Sequence, residues 1–201
     1  MLEIVIASGN PHKVRELKRL IAVPGIRFRS LAEFPGVPAV RETGRSFKAN
    51  AELKARAVAR ATGRLALADD SGLEVEALGW RPGIRSARFS GPRGDDRTNN
   101  AKLLRLLKGL PARRRRARYQ CALALAAPSG IVAVTRGAWR GRIALEPRGR
   151  GGFGYDPLFV VPRLGKTVGQ LPAALKARLS HRAAAARRLR PAIERLARRP
   201  R

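Results

Sequence analysis

Two adjacent carboxylates follow a short apolar run in a chain that is otherwise strongly basic. Asp69 and Asp70 occur in "ALADDSGLEV" at 66–75, although the chain has 14 acidic and 43 basic residues. Because side chains alternate between faces in an extended segment, only one of the pair should face a given cleft. A carboxylate can bind Mg²⁺ and orient or deprotonate an attacking water, with Glu42 as a candidate second ligand. The alternative is a plain turn, which Asp-Asp-Ser-Gly also favours.

A second candidate site is "SGNPHK" at 8–13, between an apolar run and a helical pattern. A glycine-containing loop at a helix N-terminus presents backbone N–H groups and partial positive charge, which suits phosphate. Asn10 can donate an amide N–H and Lys13 adds a full charge. The segment lacks the two glycines and the Lys-Ser/Thr pair of a P-loop, so an ordinary turn with a solvated lysine is the alternative.

A third candidate combines "GGFGYD" at 151–156 with "SHR" at 180–182. Glycines beside Phe153 would let a flat ligand approach, and the phenyl ring could stack on a nucleobase. Asp156 could accept from ring N–H groups, and His181 with Arg182 could donate to keto oxygens. The alternative is a turn and a surface histidine.

Hydrophobic periodicity predicts strands and helices mixed along the whole length, without an internal repeat or linker. This order is typical of an α/β or α+β protein with a mixed sheet. The predicted elements are a buried strand at 2–7, a helix after it, a helix at 45–62 that begins near Thr43 or Gly44, a short strand at 65–68 ending in the acidic pair, an irregular loop at 81–91, a helix at 97–110, a hairpin of 119–127 and 131–139, a glycine-rich loop into a strand at 149–161, and helix from about 172 with a break near Pro191.

The formal charge is +29, with 35 Arg against 8 Lys. Such a field attracts anions such as nucleotides, nucleic acids or acidic membranes, although an arginine bias also follows from a GC-rich genome. The basic runs at 113–118 and 187–201 are typical of solvated surface. Non-specific nucleic-acid contact is the alternative.

The single cysteine, Cys121, excludes an intramolecular disulfide and favours a reducing compartment. The N-terminus lacks the pattern of a secretory signal, and no window approaches the apolar length of a membrane span. We therefore expect a cytoplasmic protein without membrane association.

Taken together, six blocks resemble the inosine triphosphate pyrophosphatase family from residue 2 to about 190. They are "SGNPHKVREL", "ETGRSF.AN...KA", "LADDSGLEVEALGWRPGIRSARFSG", "EPRGRGGFGYDPLFVVP", "GKT" and "LSHR". The resemblance implies hydrolysis of non-standard purine nucleoside triphosphates (dITP, ITP, XTP) to the monophosphate and pyrophosphate. It also implies an elongated, two-lobed α/β fold around a long twisted mixed sheet, a substrate groove between the lobes, Mg²⁺ dependence and a homodimer.

The resemblance assigns roles residue by residue, within a single two-lobed domain at 1–201 that ends in a basic helical tail at about 183–201. Asp70 would be the catalytic carboxylate and, with Glu42, a metal ligand. The triphosphate would be bound by Ser8, Gly9, Asn10, Pro11, His12, Lys13 and Ser71. The base pocket would consist of Phe153, Gly154, Tyr155 and Asp156, closed by Lys176, His181 and Arg182.

Donors such as His181 or Arg182 aimed at the C6 keto oxygen would reject adenine, because a mismatch leaves buried polar groups unpaired. Excluding guanine then depends on contacts at C2. Two positions depart from the family pattern: Ala49 replaces a glutamate, which would weaken Mg²⁺ binding unless Glu42 and Asp70 suffice, and Ala183 replaces a glycine.

The remaining alternatives are a pyrimidine-preferring relative and a basic nucleic-acid-binding protein with the same fold.

Overall fold

A computed structural model describes residues 1–198. These residues form a mixed α/β structure, which confirms the predicted fold class. The helices and strands are β1 (Leu2–Ile6), α1 (Pro11–Leu20), β2 (Ile26–Ser30), α2 (Phe47–Thr62), β3 (Leu65–Val75), α3 (Asp96–Leu106), β4 (Arg116–Ala127), β5 (Gly130–Ile143), β6 (Phe159–Val161), β7 (Lys166–Thr167), α4 (Ala173–Leu179) and α5 (His181–Ala197). Among the described residues, no helix is long and apolar enough to cross a membrane.

The strands form one seven-stranded mixed sheet in the order β2-β1-β3-β4-β5-β6-β7. β1 pairs in parallel with both β2 and β3, while β6 is antiparallel to β5 and β7. The register pairs Ile6 with Leu67, and the Ala7 N–H donates to the Leu67 carbonyl at 2.8 Å. The loop that leaves β1 therefore begins beside the acidic pair of β3.

Contacts divide the chain into two compact units. The first unit comprises Met1–Asp70, Cys121–Gly137 and the chain from Arg182 onward. Its part of the sheet is buried on both faces because successive side chains alternate: Ile4 and Ile6 pack with Leu17 and Leu189, while Val5 packs on the opposite face. The second face is covered by small residues of α2, such as Ala51 and Ala55. The uninterrupted apolar run at 4–7 follows from this double coverage.

The second unit comprises Ser71–Gln120 and Ala138–His181. Its own core gathers aromatic and branched residues, among them Leu73, Leu103, Tyr119 and Phe159. Leu103 in α3 and Leu107, the residue that follows α3, are fully buried. They lie four residues apart, so one face of the helix packs against this core.

Three predicted boundaries were wrong. β3 continues to Val75, so the acidic pair lies inside a strand and does not form a turn. The N-cap of α2 is Ser46, whose hydroxyl accepts from the Ala49 N–H at 3.1 Å, in place of Thr43 or Gly44. Residues 83–88 of the expected irregular loop form a 3-10 helix. In β3, the local turn propensity of Asp-Asp-Ser-Gly was overridden by pairing within the sheet.

The predicted break near Pro191 was also wrong, because α5 continues through it. Proline in a helix interior removes a backbone hydrogen bond and opposes the helix. Leu189 and Ile193, on either side, are both fully buried in the same core, so packing holds the two turns in line. The interruption falls instead at Ser180, whose extended backbone separates α4 from α5. The predicted basic tail lies on α5 as far as Ala197, and its residues 199–201 lie outside the described residues.

Replacing this proline should stabilise the protein. Pro191→Ala is expected to raise the free energy of unfolding by about 2 kcal/mol, because the ~3 kcal/mol helix penalty of proline exceeds the 0.4–1 kcal/mol or so by which proline restricts the unfolded chain. Urea unfolding followed by circular dichroism measures this. The exposed neighbour provides the control: Arg190→Ala should change stability by no more than about 0.5 kcal/mol. A Pro191→Ala protein less stable than the parent would contradict the account of α5.

Candidate active site

The loop at 8–13 is a capped helix start. Asn10 is the N-cap of α1, and its side-chain oxygen accepts from the backbone N–H groups of His12 at 2.9 Å and Lys13 at 3.2 Å. Pro11 occupies the first helical turn and has no N–H to offer. Two of the N–H groups expected to face a phosphate thus already have a partner. The capacity of this loop to attract an anion therefore rests mainly on the helix dipole and Lys13.

Lys13 pairs with the first of the two strand carboxylates. Its Nζ lies 2.6 Å from Asp69 Oδ1, and the Asp69 side chain is fully buried. Asp69 Oδ2 accepts from Arg182 Nε at 2.9 Å and from Cys121 Sγ at 3.2 Å. Burial alone would raise the pKa of Asp69, but the charges of Arg182 and Lys13 outweigh it and hold this pKa well below its usual range.

Asp70 faces a different group of residues, as alternation along a strand predicts. Its oxygens accept from Asn50 Nδ2 at 3.2 Å and Lys54 Nζ at 3.1 Å. The same ammonium donates to Glu42 Oε1 at 2.8 Å and to the Asp69 carbonyl at 2.8 Å. Burial raises the pKa of Asp70, Lys54 lowers it and Glu42 raises it, and the net direction is upward. The pKa of Lys54 is also raised, since Asp70 and Glu42 outweigh the effect of burial.

The chemistry of this donor set fits a magnesium ion. Oxygens of Glu42 and Asp70 both contact one cationic nitrogen, so both can reach a single cation. Mg²⁺ is commonly bound by one or two carboxylates, with waters and substrate phosphates completing the octahedron. Among residues 1–198, no cluster of three or more His, Cys, Asp or Glu side chains suited to a metal is present. Ala49, in the first turn of α2, contributes no ligand.

In the second unit, Asp156 organises the glycine-rich loop. Its Oδ2 accepts from the Phe153 N–H at 2.9 Å and from Lys176 Nζ at 2.7 Å, and its Oδ1 accepts from the Tyr119 hydroxyl at 3.1 Å. A side chain at Gly152 would meet Asp156 Cγ at 2.8 Å, and the φ of Gly152 is +79°, so this position requires glycine. Asp156 was predicted to accept from a nucleobase. These bonds show that Asp156 organises the loop, and its contact with a nucleobase stays a prediction.

The other predicted residues of this group surround Asp156. Lys176 Nζ lies 4.4 Å from the centre of the Phe153 ring, and the His181 ring stacks on Tyr119 with a centroid distance of 4.6 Å. Phe153 is half-buried, whereas Lys176 and His181 are buried. An aromatic face, an ammonium and an imidazole thus lie on one cluster, a combination suited to a flat polar heterocycle.

The backbone around Gly154 is fixed by α3. Its N–H donates to Asp96 Oδ2 at 2.6 Å, and its carbonyl accepts from Asn100 Nδ2 at 3.0 Å. The adjacent Tyr155 is buried and donates its hydroxyl to the Ser86 carbonyl at 2.8 Å, while burial, with Asp96, raises the pKa of that hydroxyl. Tyr155 therefore supports the loop from beneath.

Two further predicted site residues are Ser71 and Arg182. Ser71 follows Asp70 in β3 and is half-buried. Arg182, predicted to close the base pocket, is almost fully buried in the first unit, where it pairs with Asp69 and Glu16.

The sequence interpretation missed Lys54, Asn50 and Tyr119. Asn50 and Lys54 are four residues apart in α2, so both side chains lie on the helix face that contacts Asp70. That spacing in "NAELK" was a usable signal. Tyr119 is far from Asp156 in the chain, so no local pattern indicated it.

The chain as a whole is similar to known proteins. The Ham1 family matches residues 4–192, and the chain belongs to this family. A protein of Geobacillus kaustophilus named dITP/XTP pyrophosphatase is 51% identical over 189 residues, covering 94% of this chain and 93% of the relative. A protein of Bacillus subtilis with the same name is 44% identical over 194 residues, covering 96% and 98%.

Solved structures agree with this relationship. A HAM1 protein from Coxiella burnetii has a TM-score of 0.88 at 40% identity, with 97% of this chain and 100% of that chain covered. A nucleoside-triphosphatase/dITP/XTP pyrophosphatase from Mycobacterium abscessus has a TM-score of 0.76 at 44% identity, with 96% and 100% covered. The fold and the family are therefore established together.

The buried thiol beside Asp69 should be unreactive in the folded protein. Burial, reinforced by the Asp69 charge, raises the pKa of Cys121 well above its ordinary value, and only the thiolate is a strong nucleophile. A thiol-reactive disulfide reagent at pH 8 should label native protein far more slowly than urea-unfolded protein, which should release one thiol per chain. Equal labelling rates in the two states would contradict the packing around Asp69.

Proposed function

We propose that this protein hydrolyses non-standard purine nucleoside triphosphates such as dITP, ITP and XTP to the monophosphate and pyrophosphate. The observation that carries the proposal is the convergence of Glu42 and Asp70 on the Lys54 ammonium, with Lys13 in the same unit. Two carboxylates and two ammonium groups match a reaction between a metal-bound polyphosphate and water. The names of the relatives support the substrate class.

Glu42 and Asp70 would hold the magnesium ion. When bound, Mg²⁺ neutralises negative charge on the phosphate oxygens and so favours attack on phosphorus. Lys54 carries a positive charge at the same carboxylates, and its ammonium would also attract the phosphate oxygens of the substrate. Lys13 at the start of α1 would bind the triphosphate with the help of the helix dipole.

Asp70 is the group suited to manage the water. Its contacts with Asn50 and Lys54 fix its orientation, and a carboxylate held in this way can act as the general base. It would accept a proton as the water oxygen bonds to phosphorus, while the electron pair of the broken anhydride leaves on pyrophosphate.

The cluster around Asp156 would bind the base. Phe153 offers a face for stacking, and His181 and Lys176 are donors suited to a keto oxygen, which hypoxanthine and xanthine carry and adenine does not. Because Asp156 holds Phe153 and Lys176 in place, the selectivity of this cluster depends on a residue that need not touch the base.

Substrate choice tests the proposal directly. With Mg²⁺ present, pyrophosphate release from dITP and XTP should exceed release from dATP by at least about 10²-fold in kcat/KM, the discrimination that a missing hydrogen-bond partner provides. dTTP and UTP are included to detect a pyrimidine-preferring enzyme. If dATP were hydrolysed as well as dITP, the proposed base recognition would be wrong.

The carboxylates should differ in their contributions. Asp70→Asn should lower kcat for dITP by about 10²-fold or more, because it removes both the base and a metal ligand. Asparagine keeps the shape, so the thermal unfolding curve should change little. Glu42→Gln is the matched comparison and should mainly raise the Mg²⁺ concentration needed for half-maximal rate. Near-normal turnover of a folded Asp70→Asn protein would remove Asp70 from the chemistry.

The homodimer, the cytoplasmic location and any non-specific nucleic-acid contact remain predictions. The family resemblance supports the dimer, and the charge of +29 supports attraction of polyanions.

A further inference from the structure

Four charged side chains in the first unit form a closed ring. Lys13 pairs with Asp69 at 2.6 Å, Asp69 with Arg182 Nε at 2.9 Å, and Arg182 with Glu16. Lys13 and Glu16 are one turn apart on α1, so the helix itself closes the ring. The ring contains two positive and two negative charges, and it ties the first turns of α1 to β3 and α5.

The buried charge of Asp69 requires charged or hydrogen-bonding partners within the protein. Its side chain has no exposed surface, so water does not compensate its charge. Arg182 is also buried, and the pKa of its guanidinium is raised by Asp69 and Glu16 against the opposing effect of burial. Each charge therefore depends on its partners being held at hydrogen-bonding distance.

Both oxygens of Asp69 have partners. Oδ1 accepts from Lys13, and Oδ2 accepts from Arg182 and from Cys121 on β4. A carboxylate held in this way has little capacity to take a metal ion or a proton from water, unlike Asp70 on the opposite face. Its action on a substrate is therefore indirect, through the residues that it holds.

We propose that Asp69 is a positioning residue, which together with Arg182 holds the Lys13 ammonium and the start of α1 in the place where the triphosphate binds. The proposal rests on the proposed function, since it assumes that Lys13 binds phosphate. An ammonium has three N–H donors, and the pair with Asp69 uses one while setting the direction of the others.

Removing the Asp69 charge should therefore weaken substrate binding more than chemistry. Asp69→Asn is expected to raise KM for dITP about tenfold, the size of one charge-assisted hydrogen bond, while kcat falls less than threefold or so. A kcat loss as large as that of Asp70→Asn, with KM unchanged, would make Asp69 a chemical group and overturn the proposal.

A double-mutant cycle separates positioning from general destabilisation. If Asp69 acts through Lys13, adding Asp69→Asn to Lys13→Met should raise KM no further than Lys13→Met does alone. Multiplying effects would show a role independent of Lys13 and would contradict the proposal.

Glu16→Gln keeps the experiment decisive if Asp69→Asn fails to fold. Glu16 is partly exposed, so its loss leaves less uncompensated buried charge, yet it removes one support of Arg182. We expect KM for dITP to rise about threefold, and we expect that rise to vanish in the Lys13→Met background. An unchanged KM, or a rise that persists with Lys13→Met, would count against the ring.

Binding of inorganic tripolyphosphate, measured by calorimetry, separates this proposal from the proposed function. Asp69→Asn and Glu16→Gln should each weaken tripolyphosphate binding, whether or not the parent protein hydrolyses dITP. If the parent does not hydrolyse dITP but both variants bind tripolyphosphate more weakly, only the substrate assignment fails. If instead the parent hydrolyses dITP and both variants bind tripolyphosphate as tightly as the parent does, the proposed function is retained. The positioning role of Asp69 is then rejected.

Discussion

The buried charge of Asp69 is the constraint on which the first unit depends. A carboxylate without exposed surface needs partners, and Lys13, Arg182 and Cys121 supply them from α1, α5 and β4. Satisfying one charge therefore brings three elements to the same point of β3. Because side chains alternate along the strand, the same arrangement leaves Asp70 on the other face, where α2 contributes Asn50 and Lys54.

The second unit also contains a buried carboxylate, Asp156, whose charge needs partners. This buried carboxylate accepts hydrogen bonds from the Tyr119 hydroxyl, the Phe153 N–H and the Lys176 ammonium, and so organises the glycine-rich loop. In both units, a buried acidic residue adjacent to or within a candidate site holds neighbouring side chains that we propose as ligand contacts. The distinction matters because a charged residue in a motif is easily assigned to chemistry when its role is support.

Much of the fold was predictable because hydrophobic periodicity reflects burial directly. The largely apolar run at 2–7 correctly indicated a strand covered on both faces, and the helical spacing in 45–62 indicated α2 to within two residues. The errors came where tertiary packing outweighs local preference. Pro191 stays helical because Leu189 and Ile193 are buried together, and "DDSG" stays extended because its side chains have partners on both faces of β3.

The sequence by itself determined the mixed α/β class, the family and the residue types at the candidate site, since these follow from periodicity and from motifs that are contiguous in the chain. Only the tertiary structure decided which partners each of the two carboxylates has. The partners of Asp69 are distant in sequence: Lys13 is 56 residues before it and Arg182 is 113 after it. No local pattern encodes such a meeting, because it is produced by strand order and helix packing. The same holds for Lys54, whose role depends on the face of α2 that meets Glu42 and Asp70.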